Sequence, residues 1–145
     1  MRTIEEIAST LEKLFPMLVD STHETVADIF RDDKNYAHYF ARPSLIYQFL
    51  FVNNLCKANG HTESSTTFMV LYRVFRACGL GESDAKAGVE TAMDLVLMGA
   101  KHESKLFALV SRIAAVDAQY FDWERLGDIH VDHFAMIVSL GERKT

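Results

Sequence analysis

The chain has 145 residues, a net charge of −5, 49% hydrophobic and 24% charged residues, the size and balance of one ordinary globular domain. With only 2 Pro and 7 Gly it lacks the frequent tight turns of a β-sandwich. The acidity argues against phosphate-backbone binding, so no nucleic-acid partner is expected. Charge is uneven along the chain: residues 1–40 are net −4, residues 41–80 net +3 and the remainder net −4.

In chain order, Ile4, Ile7, Ala8, Leu11, Leu14, Phe15 and Leu18 recur at intervals of three and four, which places them on one helix face. Thr3 and Glu6 form a capping-box pair ahead of that face. Pro16 is expected to kink or end the helix. Ser21 and Glu24 repeat the capping signature and open a second short helix with Val26, Ile29 and Phe30 inward, and Asp32-Asp33-Lys34-Asn35 reads as its stop.

Pro43 suits the first turn of a third helix. From Leu45 to Cys56 that helix is apolar almost all the way round, as a helix buried on most sides must be. Its polar exceptions are Tyr47, Gln48, Asn53 and Asn54, which are expected to bond across the bundle, or else to line a pocket, because buried amides need partners. Gly60 is the expected stop. The fourth helix, Ser64 to Cys78, reads as similarly rich, and the two form a central hairpin.

Gly79 and Gly81 end the fourth helix, and Ser83 caps a fifth carrying Val89, Ala92, Met93, Val96 and Leu97, with Gly99 closing it. A sixth begins near Ser104 and is expected to bury Leu106, Leu109, Val110, Ile113 and Val116. A seventh holds Val131, Phe134, Ala135 and Val138, and residues 141–145 should fray. The pattern predicts one all-α domain over residues 1–145, of about six to seven helices in an orthogonal bundle around the helix 3/helix 4 hairpin.

Chemical signatures are sparse. His130 and His133 stand one turn apart and are the best metal candidates, although no third ligand is placed by spacing. His102, in GAKHESK, is the position where a haem-type cofactor would be sought. No cofactor is required by any motif. GLGESDA lacks the Lys-Ser/Thr of a phosphate loop and the closing Gly of a nucleophile elbow. Cys56 and Cys78 lie in apolar runs too far apart along a hairpin to bridge, which suits buried thiols in a reducing, cytoplasmic setting. No run of about 18 apolar residues suggests a membrane span.

Two aromatic clusters flank helices: Tyr36, Tyr39 and Phe40, and Tyr120, Phe121 and Trp123. Aromatic residues with a polar tip suit either core plugs or interface anchors. The leading expectation is a non-catalytic protein-binding module, an inhibitor, immunity-type, adaptor or regulatory protein, using these aromatics and an acidic surface toward a partner protein of basic character. The alternatives are a small-ligand or haem-type carrier with an apolar pocket, and a metal-dependent enzyme centred on His130 and His133. A symmetric homodimer is kept open.

Overall fold

A computed structural model describes residues 1–30, 41–102, 104–125 and 133–138. They form α1 (Ile4–Phe30), α2 (Arg42–Ala58), α3 (Ser64–Ala77), α4 (Glu82–His102), α5 (Lys105–Gln119) and α6 (133–138). The chain is all-α, and there is no strand among the described residues. No described helix is long and apolar enough to cross a membrane.

The helix ends follow their local chemistry. Glu6 N–H donates to Thr3 Oγ1 at 3.1 Å while Thr3 N–H donates to Glu6 Oε1 at 3.3 Å, so the capping box closes in both directions. Phe107 N–H donates to Ser104 Oγ at 3.1 Å and opens α5. Gly60 and Gly79 adopt φ of +84° and +102°. In both turns the next residue's N–H reaches back five residues, His61 to Cys56 O and Leu80 to Phe75 O. This stops α2 and α3 by the left-handed cap that glycine makes cheap.

Three boundaries differ from the sequence expectation. Pro16 does not split the first segment: α1 runs continuously through it and through Ser21. The apolar stripe before Pro16 (Ile7, Leu11, Leu14, Phe15) and that after it (Leu18, Val19) are both buried, so tertiary packing outweighs one missing backbone hydrogen bond. Ser83 lies inside the first turn of α4 rather than capping it, since the helix begins at Glu82.

Gly99 does not close α4, which continues to His102. It makes room instead, because a Cβ there would lie 2.6 Å from Cγ of Phe107, deep in the ring. Gly99→Ala therefore sets a helix-propensity gain of about 1 kcal/mol against an overpacking cost of about 1–3 kcal/mol. The expected result is a net loss of stability that reverses to a gain in a Phe107→Ala background. Urea denaturation of the four proteins checks it, and the same sign in both backgrounds would refute it.

The organising helix is α2, which packs against α3, α4 and α5, while α1 lies on α3. Eleven of its residues are buried, in keeping with its all-round apolar sequence. By contrast α3 is one-faced, burying Thr67, Val70, Leu71, Val74 and Phe75 and leaving Met69 exposed. The expected hairpin exists, but only its first arm is enclosed. On the outside of the α1/α3 contact, Arg73 joins Glu5 at 2.7 Å and Glu12 at 2.6 Å.

An aromatic chain crosses the core. Phe134 of α6 meets Phe15 at 6.3 Å, Phe15 meets Phe51 at 6.0 Å, and Phe51 meets Phe121 at 5.6 Å. Tyr47 links Phe51 and Phe134, at 5.9 Å from each. Phe121 continues to Trp123, whose indole carries the Arg2 guanidinium 4.8 Å from its centroid. These rings tie α1, α2, α6 and the segment after α5 into one core.

Candidate functional site

Two features stand out from routine packing, and both belong to α5. The first is a buried polar cluster. Asp117 is 3% exposed in the middle of the buried stripe Val110, Ala114, Asp117 and Ala118. A carboxylate can only accept hydrogen bonds. Tyr47 O–H donates to Asp117 Oδ2 at 2.6 Å, and His133 Nδ1–H donates to Asp117 Oδ1 at 2.7 Å.

The cluster therefore ties α2 and α6 to α5 through one acid. Burial, then the neighbouring carboxylate, pushes the Tyr47 phenol well above its ordinary value of 10.0 and keeps it a neutral donor. The carboxylate also fixes the ring of His133, whose side chain is 38% exposed. This is the carboxylate–imidazole relation found behind metal-bound and basic histidines. Among the described residues, no group of three or more His, Cys, Asp or Glu is placed to hold a metal.

Stability at high pH should report this core. Tyr47 is held protonated, and burial raises the Cys56 thiol to about 11 and the Cys78 thiol to about 12 from an ordinary 9.0. All three have folded values above their unfolded ones. Their contribution is complete below about pH 9 and is lost as pH rises through the 9–12 window, where the unfolded chain releases protons first. The urea midpoint should fall steeply across that window and less so in Tyr47→Phe, measured against its own neutral-pH value. A flat wild-type profile would show these groups are not held as described.

The second feature is an apolar ridge facing outward. Leu106, Leu109, Ile113, Val116 and Tyr120 follow one another at intervals of three and four. Leu109 and Val116 are exposed by 44% and 43%, Tyr120 by 70%, and Leu106 and Ile113 are half-buried. Periodicity alone places Leu109 and Val116 inside, and the structure turns both outward. The helix is apolar on two sides, and the one with Ala114 and Ala118 is buried, where α5 packs against α2 and Tyr47 of α2 reaches Asp117. Small side chains let two helices approach closely.

The other candidate residues separate by place. Phe121 is a core residue at 9% exposure, Trp123 is half-buried between Phe121 and Arg2, and only Tyr120 of that cluster stands clear of the surface. Tyr36, Tyr39, Phe40 and His130 lie outside the described residues. His102 is exposed on the last turn of α4. Asn53 accepts from Thr67 Oγ1 at 3.0 Å, so this amide bonds across the bundle.

A cavity of about 500 Å³ between α3 and the start of α4 is lined by Phe68, Met69, Tyr72, Glu82, Ser83 and Lys86. A smaller one of about 240 Å³ lies between Pro16, Val19, Asp20 and the Ala77–Gly79 turn. Neither includes His102, His133 or Asp117.

Asp117 escaped the sequence reading, although a signal existed. Its place three residues after Ala114 and seven after Val110 puts an acid in register with a buried stripe. Such an acid needs partners. Comparison of the chain with protein-family models, with curated proteins and with solved structures finds no match.

Proposed function

We propose that this chain is a non-catalytic protein-binding module whose contact surface is the outward ridge of α5, with Tyr120 as its aromatic anchor. The observation that carries the reading is the ridge itself. Leu109 and Val116 of α5 and Tyr120 at its C-cap stand exposed at heptad-like spacing, beside Leu106 and Ile113, which pack partly against the core, whereas scattered exposed apolar residues would call for no explanation. Apolar ridges at this spacing seat against a second amphipathic helix by knobs-into-holes packing. Interface hot spots favour a large amphipathic ring such as Tyr120.

The buried cluster serves this surface as a fixed base. Asp117 adjoins Val116 in sequence and binds α5 to α2 and α6 from within, so the ridge is displayed on a helix with little freedom to turn. A rigid display lowers the ordering cost of association.

The test places a photo-crosslinking residue at position 116, and a control at exposed Glu90 on α4, in the protein expressed in its own cells. One adduct of defined mass at 116 and none at 90 is the expected result. The identified partner should then bind the purified chain, with an affinity reduced at least about tenfold by Val116→Asp while the unfolding midpoint stays unchanged. Equal adducts at both positions, or a purified partner indifferent to Val116→Asp, would remove the ridge from the interface.

A further inference from the structure

We infer that the partner element seated on this ridge is an amphipathic helix whose apolar stripe is bordered by carboxylates; the inference rests on the ridge being the binding surface. Its basis is the charge distribution on α5. The only acid of that helix is Asp117, and it is buried and held by Tyr47 and His133. The exposed charges of α5 are Lys105 and Arg112. They lie seven residues apart, on one edge about 10 Å long, each immediately before a ridge residue, Leu106 and Ile113.

Lys101 and His102 end α4 just ahead of this edge. In a protein of net charge −5 the helical part of the ridge thus has a basic border, with the exposed acids Asp122 and Glu124 only beyond Tyr120. The sign is opposite to the acidic contact surface expected from overall composition.

The border discriminates between occupants. A second copy of the chain would pack its own α5 ridge on this one. In an antiparallel pair centred on Ile113, Arg112 would face Arg112 of the second copy. In a parallel pair it would face the position of Asp117, which is turned into the core. In neither arrangement does α5 itself offer Arg112 an accessible acid, and like charges at such flanks oppose pairing. A helix with Glu or Asp beside its apolar stripe satisfies both the spacing and the charge. An anionic lipid surface would also meet the charge, but Leu106 and Ile113 are half-buried, a relief suited to interdigitating side chains rather than to insertion.

The test uses the full chain and two synthetic 21-residue helical peptides with leucine at every a and d position. One has glutamate at every e and g position and the other has lysine, and uniform border charge discourages each from pairing with itself. Binding is followed by fluorescence anisotropy and mapped by amide chemical shifts. The glutamate peptide should bind about tenfold more tightly than the lysine peptide at low salt, with shifts centred on residues 106–120. Lys105→Glu/Arg112→Glu should invert the preference.

Equal binding of both peptides at residues 106–120 would overturn the acidic partner and leave the ridge a helix-binding surface. Binding by neither peptide, or binding elsewhere, would overturn both, whereas a concentration-dependent dimer held by α5 would overturn the acidic partner and make a second copy the occupant of the ridge. Binding to phosphatidylserine vesicles without peptide binding would assign the basic border to lipid and refute the helix.

Discussion

Asp117→Ala should cost about 3 kcal/mol of folding stability, read from urea denaturation at neutral pH. The substitution leaves the Tyr47 hydroxyl buried without its Asp117 acceptor and frees His133, whose ring links α6 to α5. Stranding a buried donor costs about 1–3 kcal/mol, and breaking a buried charged pair about 3–5 kcal/mol. Asp117→Asn should cost clearly less, because its amide oxygen still accepts from Tyr47 and its amide nitrogen can donate to a neutral His133 ring.

The attribution is checked by a cycle with Tyr47→Phe. If Tyr47 and Asp117 act as one unit, the double variant loses less than the sum of the two singles, with a coupling of about 0.5–3 kcal/mol. Strict additivity would mean the 2.6 Å bond contributes little to folding. Amide exchange in residues 133–138 gives an independent reading, since these residues should open before the rest of the core once Asp117 is removed.

Phe51→Ala should be equally damaging, with an expected loss of about 3–5 kcal/mol. Phe51 is 1% exposed and stands at the crossing of the aromatic chain, touching Phe15 of α1, Tyr47 on its own helix and Phe121 beyond α5. Its removal leaves a cavity where three elements meet, so the surroundings can collapse into it only by moving helices. Domains of this size have roughly 5–15 kcal/mol in hand, so the variant is expected to sit near the edge of folding. Phe51→Leu refills most of the volume and should retain the cooperative transition. A loss below about 1 kcal/mol in Phe51→Ala would show that these rings are packed more loosely than their separations indicate.

The two variants also separate scaffold from surface. Asp117→Ala and Phe51→Ala act on stability, whereas Val116→Asp changes a side chain already 43% exposed and should act on association alone. The proposed interface therefore makes a claim that core variants cannot imitate.

Much of the fold was legible in the chain because it is decided locally. The Thr3–Glu6 box, the Ser104 cap and the left-handed stops at Gly60 and Gly79 each involve residues a few positions apart, and neighbouring backbone groups settle them. The all-round apolar run of α2 fixed its central place, since no other position hides such a surface. Where local and tertiary effects competed, tertiary packing won. Pro16 is carried within α1 because the stripe on both sides of it is buried, and Gly99 lies inside α4 because Phe107 occupies the space its side chain would take.

The candidate surface was decided by tertiary structure alone. The sequence of α5 offers two apolar faces, and its periodicity is satisfied by burying either. The face buried is the one whose small Ala114 and Ala118 allow close approach of packed helices, and Leu109, Val116 and Tyr120 are left outward. The Tyr47–Asp117–His133 cluster joins residues 70 and 16 positions apart, a convergence that no local spacing encodes. The sequence by itself determined which segments are helical and where several of them start and stop, because those choices rest on contacts within one turn. Which face of α5 meets the core, and which is left exposed, depended on the shapes of helices that meet only when the chain is folded.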